Sequence, residues 1–143
     1  MYITEFLNGH TVEDIRRNRD DSVTLFCDSG RTITLHVVNG KIEARPPEIR
    51  LPDQSEEQLE IAFSERMRLR EAFQGYMINY AIYDQKGGLV FVCEPHKHNR
   101  EKYKKSHGHR EITMSHSNGI IDELPPVSAV IALPSLSVFG KGP

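Results

Sequence analysis

The chain has 143 residues, of which 38% are hydrophobic and 27% are charged, and its formal net charge is −2 at pH 7. This length and composition predict a single domain, residues 1–143, that buries its own hydrophobic core. The slightly acidic balance excludes a protein that coats nucleic acid with uniform positive charge, so any basic character must be local.

Features of membrane and secreted proteins are missing from the sequence. No apolar run reaches the roughly 18 residues of a membrane span, and the N-terminal segment lacks the charged and apolar regions of a signal peptide. The sequence therefore favours a cytoplasmic protein without a membrane partner. Cys27 and Cys93 each end an apolar run, which predicts two buried free thiols.

Residues 1–46 predict an antiparallel β-meander. Residues 23–27 are an apolar strand candidate, and apolar and polar residues alternate over 32–38, as in a strand with one buried face. The pair Asn39-Gly40 is a strong hairpin signal, because both central residues of a type I′ turn need positive φ. Residues 11–15 are compatible with a further strand or with a short helix.

Residues 55–74 predict one central amphipathic helix. Ser55 and Gln58 match a capping box, in which each residue bonds the backbone near the other. Apolar residues then recur at helical spacing: Leu59, Ala62, Phe63, Leu69 and Phe73. Together with the meander, this helix predicts an α+β fold.

Residues 76–139 predict a mixed region made mainly of strands. The strand candidates are residues 76–83, 89–93, 112–114, 127–133 and 135–139. No internal repeat is expected. The apolar stretches 76–83 and 127–134 carry more apolar surface than one short helix covers, which favours a homo-oligomer.

Residues 94–111 form a basic, histidine-rich segment within this otherwise acidic chain. Lysine and arginine supply charged donors for phosphate, and Tyr103 beside Lys104 adds a surface on which a nucleobase can stack. Arg66 and Arg70 share one face of the predicted helix, because they are four residues apart. The predicted ligand-binding residues are Arg66, Arg70, Tyr80, Lys97, Asn99, Arg100, Tyr103, Lys104, Lys105 and Arg110.

No catalytic motif accompanies this segment. The sequence has neither a glycine-rich phosphate loop nor a nucleophile elbow. We therefore expect a non-catalytic protein, without a cofactor, that holds or sequesters an anionic small molecule such as a nucleotide.

Two other functions stay open. A metal-dependent hydrolase or nuclease could use the two H-x-H pairs, whose members share a face in extended backbone: His96, His98, His107 and His109. Alternatively, the basic segment could bind an acidic protein partner or nucleic acid, which strong salt dependence would reveal.

Overall fold

The part of the chain that the structure describes folds mainly as antiparallel β-structure with two short α-helices. The computed structural model describes residues 1–45, 49, 60–83, 86–96 and 109–132. The helices are α1 (Ile3–Leu7) and α2 (Leu69–Phe73). The strands are β1 (Val12–Arg17), β2 (Val23–Cys27), β3 (Thr32–Val38), β4 (Lys41–Arg45), β5 (Glu60–Arg66), β6 (Tyr76–Tyr83), β7 (Leu89–Pro95), β8 (His109–Met114), β9 (His116–Ser117), β10 (Ile120–Ile121) and β11 (Pro126–Ala132).

The strands form two large sheets and one short ribbon. The first sheet has the order β1-β2-β3-β4, the second has the order β5-β11-β8-β7-β6, and β9 pairs with β10. A shared hydrophobic core joins Leu25 and Leu35 of the first sheet to Phe91 and Ile112 of the second. Phe73 of α2 completes it, with its ring edge-on to that of Phe91 at a centroid distance of 5.4 Å. Within the described part of the chain, neither helix has the length and apolar character needed to cross a lipid bilayer.

Most of the predicted strands are confirmed. Residues 12–45 form the predicted antiparallel meander, and residues 76–83 pair with β7 as a hairpin. Asn39 and Gly40 have φ values of 52° and 79°, as the predicted type I′ turn requires. The strand candidate at 135–139 lies outside the described residues.

The helix predicted over residues 55–74 is not found. Glu60–Arg66 form strand β5, which pairs with β11, and helical structure is limited to Leu69–Phe73. Pairing with a strand some 60 residues away outweighs the local helical spacing, because tertiary contacts routinely override propensity. The fold is thus mainly β and only loosely compatible with the α+β expectation; residues 55–59 lie outside the described part of the chain.

Two segments of the chain fold as the same unit, so the expectation of no internal repeat is wrong. We call residues 3–42 the first repeat and residues 69–121 the second repeat. Each runs helix, strand, strand, strand, strand: α1 corresponds to α2, β1 to β6, β2 to β7, β3 to β8 and β9, and β4 to β10. Every pairing between β1 and β2 recurs between β6 and β7 with both partners 66 positions further along; Val12↔Cys27, for example, becomes Ile78↔Cys93.

Irregular features of the backbone repeat as well. The β1–β2 ladder is interrupted between Val12 and Asp14, and the β6–β7 ladder at the equivalent Ile78 and Tyr80. Residues with positive φ also correspond in pairs: Gly9 with Gly75, Asp21 with Gly87, Asn39 with Asn118, and Gly40 with Gly119. Bulges and left-handed residues are specific local choices, so their recurrence supports a common unit rather than a chance resemblance of two sheets.

The two repeats also contact each other as a two-fold pair. Thr11 forms a β-bridge with Met77, its own equivalent, so an approximate two-fold axis passes between them. Thr4 donates to the carbonyl oxygen of Ala81 at 3.0 Å. The equivalent bond runs in the other direction. Arg70, the counterpart of Thr4, donates to the carbonyl oxygen of Ile15, the counterpart of Ala81, at 3.0 Å. One chain thus contains the arrangement of a two-fold dimer.

Candidate functional site

The connection between the second and third strands of the unit is where the repeats differ most. In the first repeat, Cys27 and Arg31 flank a three-residue turn, Asp28–Gly30. The separation of equivalent residues is 66 from Cys27 to Cys93 but 79 from Arg31 to Arg110, so the second repeat carries 13 additional residues here. Most of the basic, histidine-rich segment lies in this longer connection, residues 94–109, which we call the basic insertion.

Most of the predicted ligand-binding residues belong to the basic insertion. Those outside the described part of the chain are Lys97, Asn99, Arg100, Tyr103, Lys104 and Lys105. His96, near its start, and Arg110, the residue that follows it, are both described and show how the insertion joins the fold. The backbone N–H of His96 donates to the carbonyl oxygen of Gly75 at 2.9 Å.

Arg70 lies at the junction of the two repeats, whereas Arg66 contacts the segment that follows the second repeat. Arg66 contacts Asp122 at 3.1 Å and donates to the carbonyl oxygen of Leu124 at 2.7 Å. Arg70 contacts Asp14 at 2.8 Å in addition to its bond with Ile15. Each guanidinium is therefore engaged by a carboxylate and a carbonyl, although both side chains are about two-thirds exposed, at 65% and 67%.

Tyr80 and Arg110 lie on opposite faces of the second sheet. Tyr80 packs with Ile82, Val90 and Val92 in a small cluster separate from the main core. Arg110 pairs with the core residue Cys93 across the β7–β8 ladder. Its guanidinium stacks on the ring of Tyr76, 4.0 Å from the centroid, and donates to the carbonyl oxygen of Ala72 at 2.9 Å. The structure does not bring Tyr80 and Arg110 together.

The histidines assigned to a metal are only partly described. His98 and His107 lie outside the described residues. His109 Nε2 lies 3.8 Å from Glu94 Oε2, where the strands β7 and β8 join the basic insertion, and both side chains are about one-third exposed. Across residues 1–45, 49, 60–83, 86–96 and 109–132, no three His, Cys, Asp or Glu side chains are grouped so that they could hold a metal ion.

The face of the second sheet that carries Tyr80 differs from its counterpart in the first repeat. We call it the outer face; its residues are Tyr80, Ile82, Val90, Val92, Glu111 and Thr113. All except Thr113 are buried, whereas their counterparts in the first repeat are half-buried or exposed: Asp14, Arg16, Thr24, Phe26, Thr32 and Thr34. The second repeat has thus acquired apolar side chains on this face, next to the two ends of the basic insertion.

Glu111 is the one acidic residue of this apolar face, and sequence reasoning missed it. It replaces the exposed Thr32 of the first repeat, and only 7% of its surface is exposed. Burial raises the pKa of its carboxyl group above the ordinary value, and a bond from Thr113 Oγ1 at 3.3 Å partly offsets this. The sequence alone gave no signal for Glu111, because its correspondence with Thr32 is visible only in the pairing of the strands.

We expect stability to fall as pH rises through the range in which Glu111 titrates. The unfolded chain loses this proton near pH 4.5, whereas the folded chain retains it to higher pH, so the unfolded state binds fewer protons in between. The contribution of Glu111 to the free energy of unfolding therefore decreases from about pH 4.5 up to the raised folded pKa and is constant above it. Urea unfolding from pH 4.5 to 8 should show a flatter profile for Glu111→Gln, and equal profiles would contradict this assignment.

The two cysteines occupy equivalent positions and are buried free thiols, as predicted. Burial raises the pKa of Cys27 to about 11 and raises that of Cys93 further still. A thiol must ionise to act as a nucleophile, so neither cysteine has the environment of a reactive one.

These features define a class: a mainly β protein made of two related units, one of which carries a basic insertion. Comparison of the chain with known protein families, curated proteins and solved structures found no match.

Proposed function

We propose that the protein is a non-catalytic binder of an anionic small molecule, such as a nucleotide, and that it acts as a homo-oligomer. The observation that carries the proposal is the position of the cations. The unit closes this hairpin with three residues in the first repeat, so the fold itself does not need the longer connection. The 13 additional residues include Lys97, Arg100, Lys104 and Lys105.

The composition of the insertion matches the chemistry of an anion site. Lysine and arginine donate charge-assisted hydrogen bonds to phosphate oxygens, and a tyrosine such as Tyr103 offers a flat partner to a base. Arg66 and Arg70 support this role less, because aspartates already engage them. The proposal therefore rests mainly on residues 97–105.

A thermal-shift screen tests the proposal. The probes are ATP, GTP, CTP, UTP and inorganic triphosphate, each compared with sodium chloride of equal ionic strength. A ligand that binds only the folded state at a hundred times its Kd adds about 2.7 kcal/mol of stability. We expect at least one probe to raise the Tm by several degrees, and no rise with any of the five would contradict the proposal.

A charge-neutralised variant locates the site. We expect Lys104→Gln/Lys105→Gln to raise the Kd of inorganic triphosphate about tenfold or more, since charge-assisted hydrogen bonds contribute about 1.5–3 kcal/mol each. Arg19→Gln/Arg68→Gln removes the same charge from exposed positions elsewhere and serves as the matched control. Equal effects of the two variants in isothermal titration calorimetry would show that only net charge matters.

A further inference from the structure

Three asparagines in the chain are followed directly by glycine: Asn8, Asn39 and Asn118. An asparagine in this position loses its side-chain amide more readily than one before any other residue, because glycine has no Cβ atom to hinder the approach of its own backbone nitrogen. All three asparagines are exposed. The contacts around each pair therefore decide which of them reacts in the folded protein.

Deamidation proceeds through a cyclic imide. The glycine nitrogen attacks Cγ of the asparagine and forms a C–N bond; the bond from Cγ to Nδ2 breaks, and ammonia leaves with the proton that the glycine nitrogen gives up. Water then opens the succinimide ring at either carbonyl, which leaves aspartate or isoaspartate. The attack requires rotation about the asparagine backbone, so an asparagine in a tight turn reacts from a locally opened state.

The pair Asn8-Gly9 is held at both reacting groups. The backbone N–H of Gly9, which would make the attack, donates to the carbonyl oxygen of Ile78 at 2.8 Å. The side-chain amide of Asn8, which would leave, donates to the carbonyl oxygen of Asn79 at 2.6 Å. Both bonds cross from the first repeat to β6, so this pair is protected.

The other two pairs occupy equivalent turns with the same conformation. Asn39 and Asn118 have φ values of 52° and 53°, and the glycines that follow have values of 79° and 80°. The turn at Asn39 is held from outside as well as by its own hairpin. His116 Nε2 donates to the carbonyl oxygen of Gly40 at 2.8 Å, and Gly87 packs closely against the same oxygen. Five residue pairs join β3 to β4 behind this turn.

The turn at Asn118 has less support. Two residue pairs join β9 to β10 behind it, and one more backbone hydrogen bond, from Asp122 to Ser115 at 2.8 Å, closes the hairpin. Among the residues that the structure describes, no hydrogen bond reaches Asn118 or Gly119 from outside this hairpin. A hairpin held by fewer cross-strand pairs opens more often.

Each hairpin is also anchored by one side chain from the other repeat. Tyr83 donates to the carbonyl oxygen of Ile42 at 3.3 Å, and the equivalent Arg17 donates to the carbonyl oxygen of Ile121 at 2.5 Å. Because the two bonds are equivalent, this anchor does not distinguish the turns. The difference lies in the length of the hairpin and in the contacts of Gly40.

We propose that Asn118 is a site of spontaneous deamidation and that Asn39, in the same dipeptide and the same turn, is protected by the fold. The proposal is independent of the anion site, because it rests on the turns alone. Conversion of Asn118 adds a negative charge to an exposed turn. The isoaspartyl product also lengthens the backbone of a two-residue turn, and so loosens the strand β9 that carries His116.

Peptide mass spectrometry of ageing protein tests the proposal. Native wild-type protein is incubated at mildly alkaline pH, sampled over time and digested, and the aspartate and isoaspartate formed at each position are quantified. A second series is held in concentrated guanidinium chloride, in which both hairpins are open. We expect Asn118 to react at least about tenfold faster than Asn39 in native protein, and within about threefold of it in denaturant.

Three results would overturn the proposal. The first is a native rate at Asn39 that equals or exceeds the rate at Asn118. The second is a native Asn118 that stays unmodified while the denatured protein reacts. The third is the same ratio of rates in denaturant as in native protein, because the flanking residues and not the fold would then cause the difference.

Asn118→Asp and Asn39→Asp are matched variants for an independent readout, the ammonia released by native protein. Aspartate adopts the left-handed conformation of these turns as asparagine does, and it has no amide to lose. We expect Asn118→Asp to lower the release at least about fivefold and Asn39→Asp to lower it less than about twofold. Unchanged release from Asn118→Asp would contradict the assignment of the site.

Discussion

Gly87→Ala is expected to destabilise the protein more than the same change at Gly9, Gly30, Gly40 or Gly119. Gly87 follows β6 in the hairpin to β7 and has a φ of 86°, and its carbonyl oxygen accepts a hydrogen bond from the N–H of Ile42 at 2.9 Å. A Cβ atom at Gly87 would collide with the carbonyl oxygen of Gly40. The atoms that it would meet are all backbone atoms of Gly40 and Lys41, so they cannot move aside cheaply.

Gly119→Ala is a control that measures the cost of the backbone conformation alone. Gly119 has a φ of 80°, and a Cβ atom there would meet nothing within 4 Å, so Gly119→Ala costs only the left-handed strain of about 1–2 kcal/mol. Asp21, the equivalent of Gly87 in the first repeat, has a φ of 67°, which shows that the unit accepts a side chain at this position when space allows.

We expect Gly87→Ala to cost about 1–3 kcal/mol more than Gly119→Ala, the range found for overpacked sites. The measurement is the free energy of unfolding in urea for wild type and both variants. Equal costs would show that the two turns are not packed together as described.

Local patterns predicted much of the strand structure. The alternation over Thr32–Val38 and the turn at Asn39 and Gly40 are decided by neighbouring residues, so they could be read without knowledge of the rest of the chain. The strand at Tyr76–Tyr83 followed from its aromatic and β-branched residues. Helix α1 was missed, because five residues are too few to show a helical period.

Long-range pairing explains the errors. The apolar residues near Phe63 fit a helical spacing, but pairing with Ala129 of β11 makes them a strand. The repeat was hidden because its separation changes from 66 to 79 within the unit, so no single period fits both parts. The two repeats also carry different apolar residues at equivalent core positions, such as Leu25 and Phe91. The core is therefore kept while the two sequences differ.

The candidate site was predicted in composition but not in arrangement. The charge of residues 94–111 is visible in the sequence, whereas the partners of the arginines are not. Asp14 lies 56 positions before Arg70, and Ala72 lies 38 before Arg110, so only the fold shows that these pairs meet. The structure thus separates the cations of the insertion from Arg70, which joins the two repeats, and from Arg110, which joins β8 to α2.

Replacing the basic insertion with the turn of the first repeat is the second change for which we expect a large effect. In this variant, Asp-Ser-Gly stands between Cys93 and Arg110 in place of residues 94–109, as Asp28–Gly30 stands between Cys27 and Arg31. The equivalent strand pairs close this turn in the first repeat, and a shorter connection costs less closure entropy. The replaced residues include three that pair in the sheet, Glu94 with Met77, Pro95 with Tyr76 and His109 with Val130, so we expect a modest decrease in Tm.

The most direct test measures two properties of this replacement variant and of wild type side by side: thermal unfolding and the binding of inorganic triphosphate by titration. We expect the variant to unfold cooperatively, within several degrees of the wild-type Tm, and to bind triphosphate at least about a hundredfold more weakly, since several charge-assisted hydrogen bonds are removed. A variant that does not fold would show that the insertion is part of the unit. A folded variant with wild-type affinity would show that the anion binds elsewhere.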